Sequence, residues 1–597
     1  MQRSGTESTE QQLGNAITRA PDLAYTAYVN SQWIQSAAYP EPMKPSSLDP
    51  AQQQQGIAIL AALMFLFMLV LALIPGLKAV EGLTFPASVD FHRDAAFVRA
   101  VVEGHYGEDP IYLGASLWFT PLVGWIEAAV VQLTGLPVDF VIIRIGAYSN
   151  LLAPIAFFIM MWYFFGPVRA VAAVAVFLFF IIGREPGWAV PTYSPRLIPV
   201  SFCQWFLYIE AIFIHRAFRT TRIAPSLLAG AGAGITFLAH AAPALIAVLL
   251  IATFTVRSIV LAIRAKDGTY GWQRLRASIA AGAAFFLFSL PLTFIVVGQY
   301  GMKVVNRAYF LYNYYGLTLR NSDIFLYHNV VVINLVAAVG LWLLLRRKIR
   351  DSTGKMELAR WILITWSAWA FVLMVYSWLV AMLDSNYGIQ LKGILPAFHF
   401  YFYVKATWVA FAGLAVWHGY AWLAGRFADR GDPVDRSKQL RPVVVFFALI
   451  AIAVTLHYPA YATRRDVFAV RNRNLEFMER TNHGEACVRI NALLPWDAVI
   501  LCEVDLSIWP LLPSARKVVA TVPNMGNPYL DQSQRNIDSD HLIQGMHQPQ
   551  DDTRALLDAY KVTHLLVRPG DLSAMHEAGN WFTTEVFRND EYVLLAR

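Results

Sequence analysis

The sequence predicts an all-α polytopic membrane domain of about eleven transmembrane helices, followed by a small C-terminal α/β domain outside the membrane. Hydrophobic residues make up 57% of the 597 residues and charged residues only 15%, whereas an average soluble domain is about 25% charged. The apolar residues come in runs of roughly 18–25, the length that crosses a bilayer. Residues 460–597 lack such runs and have the composition of a soluble domain.

The apolar runs place the expected spans along the chain. They cover approximately residues 57–80, 147–165, 168–182, 197–214, 225–240, 242–263, 277–297, 329–345, 361–383, 394–424 and 441–458. The membrane domain is therefore expected at 57–459. Residues 1–56 are polar and lack the features of a cleaved signal peptide, so we expect a loosely ordered cytoplasmic tail there.

Basic residues give the orientation of the spans. They cluster at residues 216–222, 264–276, 346–350 and 426–441, which fall in alternate loops and therefore on one side. The positive-inside rule makes that side the cytoplasm. The pattern predicts an inner (plasma) membrane protein with a cytoplasmic N-terminus and a periplasmic or extracellular domain at 460–597. The net charge of +7 is spread over these clusters, which argues against nucleic-acid binding.

Residues 111–134 are apolar enough to be taken for a further span. Counting them as one would move all four basic clusters to the outside, and the segment contains Pro121 and Glu127. We therefore expect one or two amphipathic helices lying on the outer membrane surface. Glu127 is expected on their solvent-facing side, where it should matter little.

The C-terminal domain shows both strand and helix patterns. Buried strands are expected at 497–503 and 564–567, a helix at 551–560 with acidic residues in its first turn, and a closing hairpin at 587–596. Helices and strands together predict a small α/β domain.

The chain has three cysteines, too few for a disulfide scaffold. Cys203 lies in an expected span, where it serves packing. Cys487 and Cys502 both lie in the exported domain, where disulfides persist. The sequence leaves two alternatives open for this pair, a disulfide bridge or two free buried thiols.

Ionisable residues are most concentrated in the first outer loop, where Ser88–Asp94 reads S-V-D-F-H-R-D and Glu103–Pro110 reads E-G-H-Y-G-E-D-P. The spacing of Asp90 and Asp94 puts both on one face of a helix, with Arg93 beside them. Carboxylates at a membrane interface are costly unless they are solvated, paired or used. Two interpretations are open: the acids cap and solvate a short helix, or they carry function.

The order of elements resembles that of the GT-C glycosyltransferases, which include protein O-mannosyltransferases, the aminoarabinose transferase of lipid A and mycobacterial arabinofuranosyltransferases. The resemblance rests on the architecture, on the first loop, on Pro191–Arg196 (P-T-Y-S-P-R) and on Pro396–Lys405 (P-A-F-H-F-Y-F-Y-V-K). It implies a bacterial inner-membrane enzyme. Such an enzyme transfers a sugar from a polyprenyl-phosphate donor to a glycan, lipid or protein acceptor on the outer face, with inversion.

The resemblance also implies site residues. Asp90 and Asp94 match the place of the catalytic base, but three residues separate them where the family often has adjacent acids or acid-x-acid, so the choice between them stays open. Glu185 matches a second acid in the next outer loop. No cofactor is required by the resemblance, although some members use a divalent cation, for which His92 and Asp90 are the candidate ligands.

Four residues are expected to bind the donor phosphate, because a departing phosphate needs cations or donors to stabilise its charge. They are Arg144, Arg196, His399 and Lys405. Arg144 and Arg196 could instead extend to lipid headgroups, whereas a cation within an apolar run, as Lys405 is, usually faces the protein interior. His240, between two spans, is expected to be a satisfied helix-end histidine.

Two other classes of function fit the spans. A secondary transporter should show an internal repeat and broken, charge-bearing helices, and no such repeat is visible in the sequence. A non-catalytic membrane protein of envelope assembly would keep the spans but would not need the acids of the first loop.

Overall fold

The computed structural model describes residues 50–180, 192–220, 222–306, 331–346, 355–427, 440–463, 465–548 and 550–597. The helices of the membrane domain and its loops are α1 Pro50–Val80, α2 Val89–Val102, α3 Leu122–Thr134, α4 Val138–Ser149, α5 Leu152–Phe165, α6 Pro167–Ala175, α7 Pro199–Phe202, α8 Gln204–Arg219, α9 Ile223–Ala239, α10 Ala241–Arg264, α11 Gly268–Thr293, α12 Val331–Leu345, α13 Lys355–Tyr387, α14 Ala397–Phe427 and α15 Leu440–Ala462. Two of them continue into π-helical turns, α6 at Val176–Phe180 and α11 at Phe294–Gln299.

Each of the eleven expected spans overlaps helical residues in the described part of the chain. By length and composition, seven described helices can cross a membrane, at Ala51–Val80, Val138–Phe165, Ala241–Arg264, Gly268–Gln299, Lys355–Tyr387, Ala397–Arg426 and Leu440–Ala462. Shorter apolar helices include Pro167–Phe180, Ile223–Ala239 and Val332–Leu345. The protein is therefore a multi-pass membrane protein, and a total of eleven spans remains a prediction.

Small residues bring the membrane helices close together. A Cβ atom at Gly230 would overlap the backbone of Ala281, and one at Gly234 would meet the backbone at Phe285. Glycine thus allows α9 and α11 to pack backbone to backbone, as small residues do in membrane helix interfaces.

The region expected to form surface helices at 111–134 is helical only from Leu122 to Thr134, and residues 103–121 form an irregular loop with a β-bridge between Glu108 and Ser116. The expectation for Glu127 was wrong, because its side chain is buried and only 1% exposed. Helix α3 is covered on more than one side: it packs on α2 and α4, and also on Phe202 and Ala239 of the membrane domain.

The C-terminal domain is α/β, as expected. Its elements are α16 Arg465–Arg480, α17 His483–Leu493, β1 Val499–Leu501, α18 Leu512–Ser514, β2 Lys517–Val518, α19 Gln532–His547, α20 Thr553–Ala559, β3 Val562–Val567, α21 Pro569–Leu572, α22 Ala578–Trp581, β4 Thr584–Arg588 and β5 Val593–Ala596. The strand order is β2-β1-β3-β5-β4, with β2, β1 and β3 parallel and the last two strands added antiparallel.

The two cysteines of this domain are free and buried, so the alternative of two free thiols holds and the bridge does not form. Cys487 lies on α17 and Cys502 directly follows β1. Burial raises the pKa of Cys487 to about 12 and raises that of Cys502 as well, and a thiol kept protonated in this way is unreactive.

Candidate active site

Helix α2 places the two first-loop acids in different environments. Residues 91–100 are all buried, because α2 packs against α3, α4 and α18 of the C-terminal domain. Asp90 lies in the first turn, before this buried stretch, and its side chain is 54% exposed. Asp94 lies one turn further and is only 8% exposed. The helix therefore presents one acid to solvent and holds the other inside.

Arg93 links the two acids. Its Nη2 and Nε lie 2.8 and 3.0 Å from Oδ1 of Asp94, and its Nη1 lies 3.5 Å from Asp90. Its guanidinium also lies 4.2 Å from the centre of the Phe119 ring. Burial raises the pKa of Asp94 to about 6, although the charge of Arg93 acts in the opposite direction.

His92 anchors α2 and does not fit the role of a metal ligand. Its ring nitrogens lie 2.7 Å from the carbonyl oxygen of Pro86 and 3.2 Å from that of Ile508, and its ring packs edge-on against Trp509. Both nitrogens thus face backbone oxygens. Among the described residues, no group of three His, Cys, Asp or Glu side chains is arranged to hold a metal ion.

Asp94 lines a cleft that is partly open to solvent. We call it the acid cleft, and its walls are α2, the loop before α3, and α3 itself. Besides Asp94, its lining includes His105, Phe119, Trp125, Glu127 and Pro199. Asp90 is not among the residues that line it, so only one of the two candidate bases faces the cleft.

Glu127 is a further carboxyl group of the acid cleft. Burial raises its pKa well above the ordinary value, and the charge of Asp94 raises it further. The protonation of Glu127 is therefore coupled to the charge of Asp94. The burial of Glu127 could have been predicted from the apolar residues on several sides of α3, because they indicate a helix that is covered all round.

The Pro396–Lys405 segment leads into α14. His399, at the start of that helix, lies 3.0 Å (Nδ1 to Nε2) from His240. His240 caps α10 as expected, its Nδ1 accepting from the backbone N–H of Ala242. Lys405 is fully buried, with its ammonium 4.0 Å from the centre of the Tyr401 ring.

The other predicted site residues are less close to the cleft. Arg196 lies in the segment before α7, where its carbonyl accepts from Asn150, and Val200 of α7 accepts a hydrogen bond from Tyr403. Arg144 donates to the carbonyl of Leu83 and lies over the ring of Phe140. Glu185 lies outside the described residues.

The C-terminal domain holds the first loop, a contact that no sequence pattern predicts. Residues 103–117, here named the clamp segment, bind its sheet edge: the backbone N–H of Val518 donates to Ile111, and Lys517 donates to the carbonyl of Asp109. Glu103 pairs with Arg516 at 3.0 Å. Because the clamp segment contributes His105 and Glu108 to the acid cleft, the C-terminal domain completes the candidate site.

Burial also perturbs two ionisable groups at this contact. It raises the pKa of Asp109 to about 6, although hydrogen bonds from Ile111 and Asn527 lower it. It lowers the pKa of Lys517 to about 8, against the raising effect of Asp109.

The described helices and the small sheet define the class as multi-pass membrane proteins with a C-terminal α/β domain. The structure is similar to that of ArnT from Cupriavidus metallidurans bound to undecaprenyl phosphate, with 14% sequence identity, a TM-score of 0.51, and coverage of 89% of this chain and 97% of that chain. In the apo state ArnT gives 13% identity, a TM-score of 0.50 and the same coverage.

The oligosaccharyltransferase of Archaeoglobus fulgidus, tethered to an acceptor peptide, matches at 13% identity over 87% of this chain and 72% of that chain, with a TM-score of 0.49. No family model matches the sequence, and no curated protein does. At these identities the similarity to ArnT establishes the fold, as the resemblance in the sequence implied.

Proposed function

We propose that the protein is a glycosyltransferase that moves a sugar from a polyprenyl-phosphate donor to an acceptor hydroxyl in the acid cleft. The observation that carries this proposal is the position of Asp94, a buried carboxylate that faces the cleft and is oriented by Arg93. It is supported by the fold shared with ArnT, which binds undecaprenyl phosphate. A sugar hydroxyl is a poor nucleophile, so its transfer needs a base.

In the proposed reaction, Asp94 accepts the proton of the acceptor hydroxyl. The acceptor oxygen bonds to the anomeric carbon while the bond from that carbon to the phosphate oxygen breaks, so the configuration inverts and polyprenyl phosphate leaves. His399 and the buried Lys405 stabilise the leaving phosphate, together with Arg196 of the segment before α7. Arg144, whose Nε donates to the carbonyl of Leu83, keeps its other donors for the same role.

The membrane topology belongs to the same proposal. In this proposal the chain crosses a bacterial inner membrane eleven times. Its N-terminus lies in the cytoplasm and its C-terminal domain in the periplasm. The cleft then opens on the outer face, where a lipid-linked donor is reached from the outer leaflet. The acceptor is a glycan, lipid or protein of the envelope.

Transfer from radiolabelled polyprenyl-phosphate sugars by purified protein tests the proposal. Asp94→Asn should lower turnover by about 10²–10⁴-fold, the usual contribution of a general base. Asp90→Asn, which removes only an exposed ion pair with Arg93, should lower it by less than about fivefold. Glu81→Gln, an exposed acid outside the cleft, serves as the control.

Turnover by Asp94→Asn at the wild-type rate would exclude Asp94 as the base. Wild-type protein that binds polyprenyl-phosphate sugars but transfers none to any acceptor would favour the non-catalytic envelope protein, and movement of a solute across vesicles would favour the transporter.

A further inference from the structure

Glu127 carries a buried polar atom that no group of the described chain satisfies. Its side chain is 1% exposed, and its Oε2 has no hydrogen-bond partner among the described residues. Buried polar atoms in proteins are nearly always paired, and an exception needs an explanation. Since Glu127 lines the acid cleft, a ligand in the cleft can supply the missing partner.

The local chain turns this carboxyl group toward the cleft. Gly124 and Glu127 lie three residues apart on α3 and so share one face of the helix, and both line the cleft. Gly124 has no side chain to cover the approach to Glu127. The carboxyl group therefore forms part of the cleft wall opposite α2.

The indole N–H of Trp125 is a second unsatisfied group. Trp125 lines the same cleft, and its Nε1 is buried without a hydrogen-bond partner in the described structure. Residues two apart on a helix point in different directions, so a single hydroxyl group cannot meet both Trp125 and Glu127. A ligand with hydroxyl groups at several positions around a ring can meet both.

The rest of the lining fits such a ring. Aromatic side chains of Phe97, Tyr106 and Phe119 stand around the cleft, and sugars present apolar C–H faces as well as hydroxyl edges. Burial and the charge of Asp94 keep the proton on Glu127 by raising its pKa. A protonated carboxyl group can donate one hydrogen bond and accept others, which suits a neutral hydroxyl group and not a phosphate dianion.

We propose that Glu127 and Trp125 are specificity-determining residues that bind hydroxyl groups of a neutral sugar ring beside Asp94. That the ring is part of a substrate rests on the proposed function. That Glu127 and Trp125 bind a ring with hydroxyl groups rests on the lining of the cleft. The ring belongs to the donor or to the acceptor, and the kinetic experiment distinguishes the two.

The first experiment needs no substrate. The apolar reagent dicyclohexylcarbodiimide adds to a protonated carboxyl group, one of its nitrogens taking the acid proton, and the adduct rearranges to a stable N-acylurea. Peptide mass spectrometry of the purified protein at pH 7 should find the label on Glu127. The exposed acids Glu81 and Glu585 should stay unlabelled, and so should position 127 of Glu127→Gln. An unlabelled Glu127 in the wild-type protein would overturn the proposal.

The second experiment separates recognition from a structural role. Glu127→Leu and Trp125→Phe should each raise KM for one substrate by roughly 5–10-fold with a smaller change in kcat, as expected for the loss of one hydrogen bond. Glu127→Gln keeps the shape and an acceptor oxygen and should keep KM within about threefold. Trp272→Phe, at an exposed tryptophan on α11, is the matched control for the indole.

A raised KM for the lipid-linked donor assigns the ring to the donor, and a raised KM for the acceptor assigns it to the acceptor. Unchanged KM values for both substrates in both Glu127→Leu and Trp125→Phe would overturn the proposal. A wild-type protein that transfers no sugar but is labelled at Glu127 would count against the proposed function. It would still support a protonated carboxyl group at Glu127.

Discussion

Two walls of the acid cleft are held by different forces. The clamp segment is fixed to the C-terminal domain by charged and polar contacts, such as Glu103 with Arg516 and the carbonyl of Asp109 with Lys517. Helix α3 is fixed to the membrane domain by apolar contacts, among them Val123 with Ala239 and its neighbours. The clamp segment also buries Ile111 and Tyr112 in the core of the C-terminal domain. This wall therefore combines directional bonds with apolar packing, whereas the contacts that hold α3 are apolar.

Breaking a bond of the clamp segment should have the largest effect. Arg516 is nearly fully buried and also donates to the carbonyl oxygens of Leu494 and Asn491. Arg516→Met leaves these acceptors unpaired and should destabilise the C-terminal domain by about 2–3 kcal/mol, since Glu103 is partly exposed. The melting temperature of purified protein and its turnover should both fall.

The matched control is Arg588→Met, which breaks an exposed pair with Glu585 on β4. It should leave both measurements unchanged. A melting temperature that is equally low in both variants would mean that the clamp segment is not specially dependent on its charged contacts.

The pH dependence of turnover should be the next largest effect and should separate the base on α2 from the clamp segment. Asp94 must be ionised to accept a proton, and its pKa is raised to about 6, so kcat/KM should fall by about tenfold per pH unit below pH 6. The pKa of Asp109 is raised to about 6 from 3.8. The folded protein therefore binds more protons than the unfolded chain between these values, and its stability falls as pH rises through that window.

The two acids thus predict opposite slopes, an activity that rises with pH for Asp94 and a stability that falls for Asp109. Activity measured from pH 5 to 8 in wild-type protein and in Asp109→Asn should show the same rising limb. If the limb disappears in Asp109→Asn, then the clamp segment and not the base sets the pH dependence.

The smallest effect is expected in α3. Gly124 lies inside this helix, and a Cβ atom there would lie 3.9 Å from Val98 and 4.0 Å from Phe97, which is ordinary contact. Gly124→Ala should therefore stabilise the helix by about 0.5–1 kcal/mol through the lower entropy of the unfolded chain. The melting temperature should rise slightly, and a fall would show that α3 is packed more tightly than its contacts indicate.

Much of the fold could be predicted because local patterns determine it. Apolar runs of bilayer length located the membrane helices, and the strands at Val499–Leu501 and Val562–Val567 appeared as short apolar segments. Asp94 could be singled out because acids beside a membrane span need a reason to be there. Asp94 lies within the buried stretch of α2, whereas Asp90 lies before it. Because both acids share one helical face, the sequence pattern does not reveal this difference.

The rest depends on contacts between distant parts of the chain. Glu127 was expected on a solvent-facing side because an apolar helix with one acid has that pattern on a membrane surface. In the structure α2 packs against α3, so the side that was expected to face solvent is buried. The pairing of His240 with His399 and of Asp109 with Asn527 joins residues 159 and 418 positions apart, and no local periodicity reports such pairs.

The distance between Asp109 and Asn527 along the chain also sets the timing of the protein's assembly. At about 5–20 residues per second, synthesis of the intervening chain takes on the order of 20–80 s. During that time the first loop lies at the membrane surface without the sheet edge that will hold it. The cleft is lined by residues made early, whereas the sheet edge that holds its clamp segment is made late, so a truncated chain has its membrane helices but lacks the contacts that complete the cleft.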